Sequence, residues 1–153
     1  MTVETVAGTT IGISVAQPAT FNAAGYAALT FTAIGEITDG GSHGRTYAEV
    51  THQPIGTRGT AKFKGSFSEG NKTLQLAIND DDAGQVLLKT ALNSDNDFSF
   101  EVAYQGGAID YFQAKVLSFE KATSGVDSML SATVQLSLTT NSAGVGIVEV
   151  AAP

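Results

Sequence analysis

Cysteine is absent from the 153-residue chain, so no disulfide holds it together and no thiolate is on hand as nucleophile or metal ligand. Tryptophan is absent too, and proline occurs only three times. Positive charge is scarce: eight Lys and Arg stand against fifteen Asp and Glu, a formal net charge of −7. That balance lacks the basic footprint with which a protein grips nucleic acid. It does not exclude a protein that passes DNA along without holding it. No Lys or Arg precedes Arg45, so the N-terminal stretch has no basic region of the kind a secretory signal carries. Long hydrophobic runs are missing as well. The uncharged stretch Thr5–Gly35 is interrupted by Gln17, Pro18, Asn22 and repeated Gly and Thr, well short of the roughly 18 apolar residues of a membrane span. The expectation is a chain made in a cytoplasm, with no membrane partner.

What is present points to β-structure. Hydrophobic residues make up 42% and charged residues 15%, the composition of an ordered globular chain, and 17 glycines supply turns. One domain over residues 1–153 is expected. "SMLSATVQLSLTT" (128–140) alternates Leu130, Ala132, Val134, Leu136 and Leu138 with Ser131, Thr133, Gln135, Ser137 and Thr139, the period of a strand with one buried face. "KTLQLAI" (72–78) repeats the pattern, with Thr73 and Gln75 on the polar parity. Strands are also predicted over 9–15, 28–37, 60–67, 97–105 and 145–150. Glu69-Gly70-Asn71 reads as a hairpin turn joining 60–67 to 72–78, and Gly106-Gly107 as another turn. In "AIDYFQAKVLSFEK" the apolar parity slips after Val116, which predicts a β-bulge. One helix is expected over about residues 81–93, capped by the Asp80–Asp82 run and ended at Asn93-Ser94. The fold class is mainly β: two packed antiparallel sheets, sandwich- or barrel-like, with one flanking helix. Leu74, Leu76, Phe98, Phe100, Val102, Leu136 and Leu138 should share one core, covered by Leu88 and Leu92.

Catalytic patterns fail on context. Gly40-Gly41-Ser42-His43-Gly44 matches the letters of a nucleophile elbow, but no helical periodicity follows it. A glycine-rich turn explains it. The Asp80–Asp82 run is no calcium loop, because the twelfth residue is Ala91 where a bidentate Glu is needed. His43 and His52 have no cysteine or carboxylate cluster beside them for zinc. No enzyme activity, cofactor or metal is expected.

The surface carries more information. No charged residue lies between Ser128 and Ala143, whereas a solvated strand face ordinarily bears Lys and Glu. Between residues 45 and 72 five basic residues face two acidic ones, giving +3, while three basic and thirteen acidic residues elsewhere give −10. Residues 40–59 look irregular and glycine-spaced, apart from "TYAEVTH", which can form a short strand; a basic loop on an acidic body suits a self-stacking subunit, and on charge alone it suits a solvated loop with no partner equally well.

"FTAIGEITDGGSHGRTYAEVTHQPIGTRG" and "YFQAKVLSFEKATSGVDSMLSATVQLSL", within residues 28–150, resemble the tail tube proteins of long, non-contractile-tailed phages. The resemblance implies a structural virion protein of the tail, built as hexameric rings stacked into the conduit for DNA ejection. It implies that the polar row of Thr73, Gln75, Ser131, Thr133, Gln135, Ser137 and Thr139 faces the lumen, where DNA passes without specific binding. Leu130, Val134, Leu136 and Leu138 would anchor that strand in the core. The long loop (about 40–59, with Arg45, Glu49, His52 and Arg58) would reach the neighbouring ring, mobile in the free subunit and ordered against acidic residues such as Asp80, Asp81, Asp95 or Asp97. Further partners implied are the tape measure protein and the tail terminator or distal tail proteins. The alternative reading is a non-polymerising β-sandwich binding or adhesin-like module.

Overall fold

The computed structural model describes residues 3–153. Ten strands and two helices follow in the order β1 (Thr10–Ser14), α1 (Ala23–Ala27), β2 (Thr32–Ala33), β3 (Ile37–Asp39), β4 (Thr46–His52), β5 (Ala61–Ser68), β6 (Asn71–Ala77), α2 (Ala83–Leu92), β7 (Phe98–Ala103), β8 (Ile109–Ala122), β9 (Ser131–Thr139) and β10 (Val148–Val150). Eight strands form one sheet in the order β2-β1-β7-β8-β9-β6-β3, with β10 paired to the start of β8; β4 and β5 form a second, two-stranded sheet. The architecture is mainly β, two antiparallel sheets with one main helix, as expected.

The strand order forces the large sheet to curl. Its end strands, β2 and β3, are separated only by residues 34–36, so the two edges must meet. The predicted strand over 28–37 is in fact broken at this point. Ile34 N–H donates to the Ile11 carbonyl at 2.8 Å, and the Glu36 carbonyl accepts from Ala77 N–H at 2.9 Å, so one bent segment serves both edges. Glu36 takes φ 63° to make the bend, a conformation non-glycine residues seldom adopt. Bending covers two edges that a straight strand would leave unpaired.

Helix α2 pins that bend. Asp82 caps the helix by accepting from Gln85 N–H at 3.0 Å and also accepts from Gly35 N–H at 3.0 Å. The buried Gln85 amide donates to Gly35 and Ala77 carbonyls and accepts from Asn79 N–H, each at 3.0 Å, so its burial leaves no polar atom wanting. Gly84 permits the close approach, since a Cβ there would lie 2.3 Å from the Ala33 carbonyl oxygen. The helix was legible from its acidic start and Asn93 end, and Leu88 points inward as expected while Val86 is exposed.

The core is the one the alternation predicted. Leu74, Leu76, Phe98, Phe100, Val102, Leu136, Leu138 and Leu88 are buried in a single cluster, with Leu92 packed against it. Leu130 is the exception: it precedes β9 and is 50% exposed, because the buried parity of that strand begins at Ala132. Leu136 is fully buried, so Leu136→Ala is expected to lose about 2–5 kcal/mol of stability through lost contacts and a residual cavity. Urea unfolding of the purified subunit checks this value, with an unchanged midpoint as the contrary result.

Two further differences bear on function. The Glu69-Gly70-Asn71 turn does not join a hairpin: β5 pairs with β4, whereas β6 pairs with β9 and β3. The chain there leaves one sheet and enters another. The short helix α1 had no readable periodicity. It is held by its Asn22 cap, whose Oδ1 accepts from Gly25 N–H at 2.8 Å, and by Tyr26 stacked on Tyr111 at 5.1 Å. The β8 bulge lies where the parity slipped, between Val116 and Ser118.

Candidate functional site

Three features lie outside the packed core: an arm, the root that fastens it, and an open sheet face. The arm is the β4–β5 hairpin with its tip at residues 53–60. Seven of the twenty residues expected as loop over 40–59 are therefore strand, since Thr46–His52 pairs along Ala61–Ser68. Register sorts its side chains. Val50 opposes Phe63 and His52 opposes Ala61 on one face; Glu49 opposes Lys64 and Thr51 opposes Lys62 on the other. Every residue of β4 is exposed, including Val50 at 50%, while Phe63 stands at 58% and Ile55 of the tip is fully exposed. A lone two-stranded ribbon is marginal in water, and both of its edges are unpaired. The arm has the form of an element that awaits a partner.

Of the charges expected on this segment, Arg45 belongs to the root and the rest to the arm. Arg45 donates from Nε to Glu69 Oε1 at 2.6 Å and lies 4.0 Å over the Phe67 ring. Glu69 is buried, and its second oxygen accepts from Ile147 N–H at 3.1 Å, so the carboxylate ties both arm strands to the chain entering β10. Glu49 faces Lys62 at 3.8 Å on the exposed ribbon. Arg58 sits at the tip and makes no ion pair among the described residues.

Beside this clamp lies a second polar group. The core-facing parity of three strands runs at one end into titratable residues: Leu74 and Leu76 into Lys72, Phe100 and Val102 into Tyr104, Phe112 and Ala114 into Asp110. His43, on the segment joining β3 to β4, plugs the space between them. Lys72 Nζ lies 3.0 Å from His43 Nδ1, His43 Nε2 lies 2.8 Å from Asp110 Oδ2, and the Tyr104 hydroxyl donates to the same oxygen at 2.6 Å. Burial holds the Lys72 ammonium below its ordinary value, against the pull of Asp110 and Asp39. Burial pushes the Asp110 carboxyl up, but the hydrogen bonds from His43 and Tyr104 and the nearby charges outweigh it and hold it below the usual carboxylate value. Burial and then Asp110 push the Tyr104 hydroxyl up. A cavity of about 650 Å³ opens over this root, lined by His43, Arg45, Glu69, Asp110 and Glu149 among others. Segment 40–45 reaches the plug because Gly41 takes φ 65°, where a Cβ would lie 2.2 Å from the Thr73 carbonyl oxygen. Strand β4, not a helix, follows Ser42, so the elbow suggested by the letters is not built.

The open face is the other parity of β6, β9 and the far half of β8. Thr73 opposes Gln135 and Gln75 opposes Thr133, placing them in one patch with Ser131, Ser137 and Thr139. The β9 members are half-buried, and Thr73 and Gln75 are exposed. Lys115 and Glu120 of β8 border this patch opposite Ser137 and Thr133, a margin of charge that β9 alone does not show. Lys115 is held by Asp97. The near half of the sheet's same face is closed by α1, where Gln113 donates to Ser99 Oγ at 2.7 Å and Ser99 donates to the Ala16 carbonyl at 2.7 Å.

The four acidic residues expected to receive the arm do not form one patch. Asp80 and Asp81 precede α2 and Asp95 and Asp97 follow it, about 15 Å apart along a ten-residue helix. Asp80 already faces Lys89 at 3.3 Å.

Comparison with known proteins agrees with this geometry. The family model described as lambda phage tail tube protein matches residues 21–143. No curated protein matches the chain. Among solved structures, the SPP1 tail tube is similar with a TM-score of 0.63 at 14% identity, covering 92% of this chain and 75% of that one. A component of the anti-feeding prophage baseplate gives 0.66 at 10% identity, covering 99% of both chains. A chain of the sheath/tube terminator of the PVC extracellular contractile injection system gives 0.67 at 9% identity, again covering 99% of both. At such low identity these likenesses establish the shared fold.

Proposed function

Because the chain belongs to the lambda phage tail tube protein family, a family of structural proteins of the virion tail, we propose that its arm and open face are the two surfaces by which it builds a tube. Tube formation itself follows from the family. The finer reading is that six subunits close into a ring and rings stack, with the arm of each subunit laid on the next ring. The open polar face then lines the lumen, where DNA passes without specific contact. The tail terminator or distal tail proteins cap the ends, the tape measure protein occupies the lumen before ejection, and the subunit is made in the host cytoplasm of a long-tailed, non-contractile phage. Family membership decides against the non-polymerising binding module.

The observation that carries this reading is the exposed ribbon: its apolar residues Val50 and Phe63 stand half or more exposed and Ile55 fully exposed among the described residues. Electron microscopy of the purified protein at high concentration tests it, with hollow tubes of six-fold symmetry as the expected image. Arg58, Lys62 and Lys64 lie on the arm of a chain whose remainder is strongly acidic. Each exposed ion pair adds at most about 1 kcal/mol, and screening shortens its reach to about 10 Å at 0.1 M salt. Tube assembly should therefore weaken as salt rises without vanishing, because burial of Val50, Ile55 and Phe63 does not depend on salt. Sedimentation across a salt series measures this. An assembly indifferent to salt would remove the charges from the interface.

A further inference from the structure

The root of the arm holds a chain of four titratable groups whose bonding can be satisfied with only one proton shared between Lys72 and His43. We propose that this chain is an acid-sensitive latch: it fastens segment 40–45, and with it the arm, while Lys72 Nζ and His43 Nδ1 share one proton between them, and it opens when the pair takes a second. The latch lies in the free subunit and is independent of which neighbour the arm meets.

The argument starts from donors and acceptors. An ammonium has donors only, so a charged Lys72 can bond only to an unprotonated Nδ1. That fixes the proton on Nε2, where it is donated to Asp110 Oδ2, the oxygen that also accepts from Tyr104. The opposite placement, a neutral Lys72 accepting from an imidazolium, carries the same total charge and satisfies the same atoms. Adding one more proton has no such outlet. Nδ1 and Nζ then both point hydrogens at each other across 3.0 Å, with like charges. Lys72 is 2% exposed and cannot turn away into water, so His43 must leave.

The surroundings leave no other relief. Lys72 comes from β6, Asp110 from β8 and Tyr104 from the residue after β7. Asp39 of β3 acts on Lys72 and Glu149 of β10 acts on Tyr104, while Arg45 and Glu69 line the same cavity but are engaged with each other. The Phe112 ring, 5.8 Å from the imidazole centroid, offers no acceptor to Nδ1. Asp110 does not set the pH range. Its folded value is depressed, so its stabilising contribution is present above the ordinary aspartate value and fades only as pH falls through the lower folded one. Histidine is the side chain that ordinarily changes charge between about pH 8 and 5.

Hydrogen exchange on the full-length, unassembled protein tests the latch, with protection factors corrected for the intrinsic pH dependence and compared at about pH 7.5 and about pH 5. Amides of residues 39–47 are expected to lose roughly tenfold protection in acid, the scale of one lost hydrogen bond to a charged group. Amides of β7 to β9 should hold. His43→Gln keeps an acceptor and a donor but cannot titrate, and its protection should be flat with pH. Lys72→Met removes the repelling charge, so the imidazolium becomes the only counter-charge to Asp110 and acid should raise protection instead of lowering it. Wild-type protection that does not change overturns the proposal. So does an acid response that survives in His43→Gln, or a Lys72→Met protein that loosens in acid as the wild type does.

Discussion

Replacing residues 47–67 by a two-residue turn is expected to leave a folded subunit that forms no tubes. Thr46 and Ser68 oppose each other in register, so a hairpin turn joins them without moving the body. The replacement keeps His43, Arg45 and Glu69, the residues that close the end of the core and hold the root. No residue of the removed stretch belongs to the buried core, so thermal unfolding should shift by no more than a few degrees. Assembly should be abolished because the arm holds the exposed apolar side chains of a ribbon with no cover of its own. A milder variant scales the effect. Burying one Phe side chain is worth about 1.5–3 kcal/mol, so Phe63→Asp should raise the concentration needed for assembly by roughly tenfold or more. Both variants are read by electron microscopy and sedimentation. Normal tubes from the armless chain would place the subunit contacts elsewhere.

The parts of this fold that were legible in the sequence are those governed by side-chain period. Alternation over 72–78, 97–105 and 128–140 identified β6, β7 and β9, and the parity slip after Val116 located the bulge in β8. What it does not encode is which strand pairs with which. Residues 60–67 and 72–78 are both extended and separated by Gly70, but pairing follows the register of distant strands, so the apparent hairpin became a passage between two sheets. The bend at Glu36 is equally silent, being a local cost met by hydrogen bonds from α2 and β6 far along the chain. The root of the arm had a signal that was there to be read. Lys72 sits on the same parity as Leu74 and Leu76, Asp110 on that of Phe112, and Tyr104 on that of Val102. A titratable residue extending an apolar parity is a buried charge in need of partners. Only the fold shows that His43 supplies one, because residues 43 and 110 are brought together by the closing of the sheet.

Introducing Lys at both Thr133 and Gln135 is expected to leave tubes intact and to slow DNA ejection strongly. The two side chains stand on the open face of β9, opposite Gln75 and Thr73 of β6, and point away from Val134 and Leu136 in the core. A long, flexible side chain can therefore be added there without displacing a buried neighbour, so assembly should be spared. Serine, threonine and glutamine offer only neutral hydrogen bonds, which are weaker than charge-assisted ones to phosphate. A lumen lined with them lets a polyanion slide. Two ammoniums on each subunit change that: every phosphate they contact releases counterions, and contacts add along the tube in the way that gives protein–DNA binding its steep salt dependence. Ejection should slow by roughly tenfold or more near 0.05 M salt and recover towards 0.2 M, where such contacts lose most of their strength. Glu120 opposes Thr133 across β8 and will neutralise part of one added charge, so Gln135→Lys, facing Ser118, should have the larger single effect. Alanine at both positions is the control, and it should eject as the wild type does, since removing a neutral hydroxyl or amide takes away nothing that grips DNA. Particles are assayed by the rate at which DNA becomes accessible to nuclease after triggering. Wild-type kinetics in a double-lysine particle with normal tails would mean that this face of β9 does not meet the DNA.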